Sequence, residues 1–159
     1  MVGWREQYPL EASKPMKKAI GKTFGFFIFL LFCAILGSFL ISGDFSVLGF
    51  ALFILIAVLV VIFVIFYIYE VAYMNRYFYD LNGKNLAIKK GVFSVSEITL
   101  PLNRLQDVYV DQDILDRLFG LYDVHVSSAT VTSEFLSHID GVSKESAEKI
   151  KKILLAKIN

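Results

Sequence analysis

Thr23–Gly43 reads TFGFFIFLLFCAILGSFLISG, and after one charge Phe45–Tyr69 reads FSVLGFALFILIAVLVVIFVIFYIY. These runs of 21 and 25 uncharged residues decide the fold class. About 20 apolar residues at 1.5 Å rise cross a hydrocarbon core of about 30 Å, so each run is long enough to span a bilayer. A core helix of a water-soluble protein carries polar positions on one face, and these runs carry none. The reading is two transmembrane helices, over 19–42 and 46–69, joined at 43–45 by a short external loop around Asp44. The first run is too long for the apolar part of a signal peptide and lacks a small-residue cleavage site after it. Phe32 precedes Cys33, where a lipoprotein signal needs a small residue.

The rest of the chain has a different character. Hydrophobic residues make up 56 % of the 159 positions and charged ones 19 %, yet only Asp44 is charged between residues 23 and 69. The other charges therefore belong to residues 1–22, that is the segment before the helices (1–18) and Lys22, and to residues 70–159. A connection as short as 43–45 returns the chain to the side it left. Lys14, Lys17, Lys18 and Lys22 precede the first helix and the loop offers only Asp44, so the positive-inside bias makes both termini cytoplasmic. The four lysines also stand to gain about 1 kcal/mol each from an anionic inner leaflet. Gly21 and Gly25, then Ala34 and Ser38, are small residues at four-residue spacing, and packing within the hairpin or no role is expected of them before dimerisation. No ionisable residue interrupts either apolar run, which argues against an ion or proton pathway.

Residues 70–159 read as mainly β with a terminal helix. Tyr77–Leu81 and Leu86–Ile88 flank Asn82-Gly83, a hairpin signal that expects the turn at those two residues. Gly91 interrupts, and Val92–Leu100 reads as a strand ending at Pro101, which cannot donate to a ladder. Leu105–Val110 and Tyr122–Val126 alternate, and a further strand is expected over Phe135–Ile139. At Ser143 the period changes: Ala147, Ile150, Leu154 and Ile158 are at helical spacing behind a good N-cap. The expected fold is an α+β, mainly antiparallel barrel or sandwich closed by a capping helix over 143–158.

Several motifs fail on inspection. Gly21-Lys22-Thr23 has Met16 where a phosphate loop needs glycine, and no strand precedes it. A calcium loop starting at Asp111 would find Leu115, Asp116 and Tyr122 at positions needing Asp or Asn, Gly and Glu. That segment reads instead as a solvated acidic turn with an aspartate capping a short helix. His125, His138 and Cys33 make no metal set, and each histidine is expected to point outward from a strand. No Gly-x-Ser-x-Gly elbow accompanies the serines. No catalytic, cofactor-binding or metal residue is therefore assigned. Ile139-Asp140-Gly141-Val142-Ser143 has some likeness to a helix-hairpin-helix nucleic-acid motif, but a net charge of +1 for the chain offers little to phosphates.

The stretches ITLPLNRLQDV (98–108) and DILDRLFGL (113–121), Gly91, Gly120, and the strand carrying Val124 and Val126 together resemble the membrane-flanked bacterial pleckstrin-homology-like (PH-like) domain family. The resemblance is close over 77–128 and looser over 14–159, and SSATVTSE (127–134) departs from the family's usual turn. It implies a PH-like barrel, which the lysine asymmetry would put at the inner face of the cytoplasmic membrane. The expected role is a non-enzymatic adaptor or regulatory module, integral to the bilayer and engaging a protein partner, with homo-oligomerisation open. Asp111, Asp113, Asp116, Arg117 and Phe119 are the expected docking surface, where Leu115, Leu118 and Phe119 either plug the barrel or form a ridge. A lipid-headgroup sensor is the alternative, with Lys84, Lys89 and Lys90 as its basic residues, although Lys89 and Lys90 fall on opposite faces of a strand. A membrane-tethered nucleic-acid binder is the more distant alternative.

Overall fold

The computed structural model describes residues 3–41, 45–128 and 137–158, and the chain divides into two compact units. One is Pro15–Val71; the other joins Met1–Lys14 to Ala72–Asn159.

Two long helices make the first unit, α2 (Lys14–Ile41) and α3 (Phe45–Arg76), following a single-turn α1 (Trp4–Gln7). Pro15 suits the first turn of α2, where its missing N–H would have had no helical partner. Both helices run past the apolar stretches. Lys17, Lys18, Lys22 and Glu70 are therefore helical residues, because long straight-chain side chains are good helix formers. The helices pair antiparallel: Phe26 meets Phe66 at 5.7 Å between ring centroids, and Lys22 Nζ lies 2.5 Å from Glu70 Oε1. Only 6 % of each apolar stretch is buried, so these are not core helices of a globular unit. Gly25 faces open space, a Cβ there meeting nothing within 4 Å, which fits the expectation of no packing role at that position. Ser38 lies outside the residues whose side chains are described, and the Ser42-Gly43-Asp44 connection outside the described residues altogether.

The second unit holds two three-stranded antiparallel sheets. The first has the order β1 (Phe78–Asn82), β2 (Asn85–Lys90), β3 (Ser96–Pro101); the second has β4 (Leu105–Asp111), β5 (Tyr122–Ser128), β6 (His138–Val142). A 3₁₀ turn, Leu102–Arg104, links the sheets, and α4 (Ile114–Phe119) connects β4 to β5. The last helix, α5 (Lys144–Ile158), packs on β4 and β5 with Ala147, Ile150 and Leu154 fully buried. Ser143 caps it, Oγ accepting from Ser146 N at 3.2 Å.

Three strand expectations need correction. The first hairpin turns at Gly83-Lys84, with Asn82 paired to Asn85, so Asn82 needs no positive φ. This register sets Leu81 opposite Leu86, whereas a turn one residue earlier would set Leu81 opposite Lys84. Val92–Val95 is not strand: Gly91, at φ 125°, starts a turn so tight that a Cβ there would lie 1.9 Å from Ser94 O. The sixth strand begins at His138, and Ile139–Val142 pairs within the sheet; it is not an exposed hairpin of a nucleic-acid motif. Residues 129–136, which include most of the departure from the family pattern and the start of the strand expected at Phe135, lie outside the described residues.

The N-terminal segment is part of this unit. Trp4, Tyr8 and Leu10 are buried in its core. Trp4 N donates to Asp80 Oδ1 at 3.0 Å, Tyr79 Oη donates to Tyr8 O, and Leu10 makes an antiparallel bridge with Val142. Glu11 N donates to Gly141 O at 2.8 Å. The domain is thus closed by chain that precedes the two long helices as well as chain that follows them.

Candidate functional site

The four N-terminal lysines do not form one exposed cluster. Lys14 is 2 % exposed, its Nζ donating to Asp140 O at 3.1 Å and lying 3.7 Å from Asp140 Oδ2. The same ammonium sits 4.3 Å from the centre of the Tyr77 ring. Lys17 is buried as well, and Lys22 pairs with Glu70. Lys14 is thus a structural cation. Its pairing offsets the large cost of removing a charge from water.

Lys84, Lys89 and Lys90 are also dispersed. Lys89 is exposed and 3.5 Å from Glu97, its cross-strand partner in β3. Lys90 is 6 % exposed with its ammonium 5.2 Å from the Tyr77 ring centre. It shares the face of Leu86 and Ile88, the core face of β2. Lys84 lies instead in a groove of about 560 Å³ with Gly83, Asn85, Pro101, Asn103 and Lys157. Lys157 was not anticipated; only the topology brings the end of α5 to the first turn.

The 107–123 segment divides into buried and exposed parts. Asp113 and Asp116 form a reciprocal capping box: Asp113 Oδ1 accepts from Asp116 N at 2.6 Å and Asp116 Oδ2 from Asp113 N at 3.2 Å. Asp116 is 1 % exposed and so is no docking residue. Phe119 is half-buried and Gly120, at φ 66°, ends the helix. Leu118 does not plug the sheet layers; Ile114 and Leu118 are 86 % and 77 % exposed one helical turn apart. Arg117 stands exposed beside them, with Asp111 and Asp113 at the helix entrance.

On the second sheet, Tyr109, His125 and His138 stack in a row, at 4.8 Å and 5.5 Å between centroids. His125 Nε2 is 3.2 Å from Asp111 Oδ1, and His138 Nε2 is 3.0 Å from Asp140 Oδ1. Among the described residues no three His, Cys, Asp or Glu side chains converge as a metal site. Burial, with the Asp140 carboxylate adding to it, holds the Tyr77 phenol well above its ordinary range. Burial pushes Tyr79 up to about 12, against an opposing effect of Arg5.

Two three-stranded antiparallel sheets and a packed terminal helix thus accompany a pair of long apolar helices. The family model described as Bacterial PH domain matches residues 26–158, and the chain belongs to that family. No curated protein and no solved structure matches it.

Proposed function

We propose that this chain is a membrane-anchored, non-enzymatic adaptor that presents a PH-like module at the inner face of the cytoplasmic membrane, both termini inside. The observation that carries the anchor is the exposed apolar surface of α2 and α3, with Phe29, Phe32, Phe53 and Ile56 among residues 61–70 % exposed. An exposed face of that extent is stable against hydrocarbon and not against water. The lysines ahead of the first apolar run favour the stated orientation.

The ligand of the folded module is a protein. Its docking surface is the outer face of α4, where Ile114 and Leu118 flank Arg117 beside Asp111 and Asp113. Apolar anchors with a charged rim suit a protein interface. Headgroup binding ranks second, because Lys89 is ion-paired and Lys90 is buried. The groove of Lys84 and Lys157 is what favours it, but the C-terminal end of α5 lies there and its dipole disfavours an anion.

A photoreactive residue at Leu118, irradiated in native membranes, tests the reading. A discrete protein adduct that weakens with Arg117→Glu is expected; adducts to lipid alone would move the module to the lipid-sensing class. Alkaline extraction should leave the chain in the membrane pellet, and its release would contradict the anchor.

A further inference from the structure

Helix α4 is short but firmly held. The Asp113–Asp116 capping box closes its start and Gly120, at φ 66°, its end, with Leu121 N donating to Asp116 O at 2.9 Å. A face fixed in advance loses little freedom on binding. Ile114 and Leu118, four residues apart, share the outer side of this helix and are strongly exposed. Arg117 lies four residues after Asp113, so base and acid occupy one flank at opposite ends, and Asp111 lies beyond the acid end. Arg117, Asp113 and Asp111 are all exposed.

That flank is complementary to itself. A two-fold axis perpendicular to the helix sets a second α4 antiparallel to the first, each Ile114 against the partner's Leu118. The same operation keeps flank beside flank and brings each Arg117 to the acid end of the other helix. A wholly basic partner would set like charge against Arg117, and a wholly acidic one would set it against Asp111 and Asp113. A second copy answers both signs at once. We infer that the α4 face is an isologous contact between two copies of this chain. The inference names the partner of the docking surface proposed above and rests on that reading.

The test uses the full chain in native membranes, as two differently tagged copies expressed together. Both carry Cys33→Ala, one with Ile114→Cys and the other with Leu118→Cys. A short bismaleimide should join them into a product bearing both tags. It should be several-fold more abundant than the product from two copies with Lys152→Cys, an exposed position of α5. Arg117→Glu in both copies should lower the yield about tenfold, and Asp111→Lys in both should do the same, since each sets like charges together. Arg117→Glu in one copy with Asp111→Lys in the other should restore it, which misfolded variants could not do. A yield no greater than that at Lys152, indifference to the charge reversals, or a mixed pair that stays uncoupled would each overturn the inference. A photo-adduct at Leu118 to a different protein would then leave the docking surface standing, and no protein adduct at all would remove that reading as well.

Discussion

Tyr79 is fully buried in the domain core and its hydroxyl donates to the carbonyl of Tyr8, tying the N-terminal segment to β1. Burial raises its pKa to about 12 from the ordinary 10 or so. A raised folded-state value means the neutral phenol is favoured by folding. Its contribution is complete below pH about 10 and is lost as the pH climbs toward 12. Thermal unfolding of the domain in the detergent-solubilised chain should therefore fall steeply over that window. Tyr79→Phe should unfold more easily at neutral pH, by about 1 kcal/mol for the lost hydrogen bond, and show a shallower alkaline decline; an unchanged decline would assign the effect to Tyr77. At this scale the sequence was partly legible. Lys90 was named as a headgroup candidate on the opposite strand face from Lys89, and that face is the one of Leu86 and Ile88, so its burial was there to be read. Asp116 was legible only as one acid among several, since burial at the third position of a helix depends on what the helix packs against. Lys14 was read as a topological charge because its partner, Asp140, is 126 residues away.

Among the elements, those with a sustained period were found and those without were not. The apolar period of α5 is long enough to separate its buried stripe from its lysines, and Ile150 and Leu154 are where that stripe predicts. The four-residue α1 and the isolated Leu10–Val142 bridge are too short for any period to register, although Trp4, Tyr8 and Leu10 were an apolar cluster in a polar stretch. The hairpin was read correctly as a hairpin and its turn one residue early, since Asn-Gly and Gly-Lys both satisfy a glycine-containing turn and only cross-strand pairing separates them. Placing a charge in the α5 stripe tests how far that helix is part of the core. Leu154→Asp loses a buried leucine, about 2–5 kcal/mol by itself, and adds an unpaired buried carboxylate. Near-ultraviolet dichroism from the domain should vanish while the far-ultraviolet signal of α2 and α3 remains. Lys152→Asp, at an exposed position of the same helix, should leave both intact.

The whole molecule is a domain assembled from chain on both sides of two long apolar helices, since the residues before Lys14 and after Ala72 form one unit. Under the membrane-anchored reading proposed above, that arrangement calls for both flanks on one side of the bilayer, joined by the strap of Trp4, Tyr8 and Leu10. The apolar runs were legible because forty-six residues with a single interruption by charge admit few other readings. The proposed docking surface was not, because exposure at Ile114 and Leu118 is decided by packing and not by composition. Cysteine labelling in intact cells tests the central claim most directly. In a Cys33→Ala background, a cysteine at Ser42 should react with a membrane-impermeant thiol reagent added outside, and one at Lys84 should react only after permeabilisation. Labelling of Lys84→Cys in sealed cells, with Ser42→Cys protected, would contradict the account.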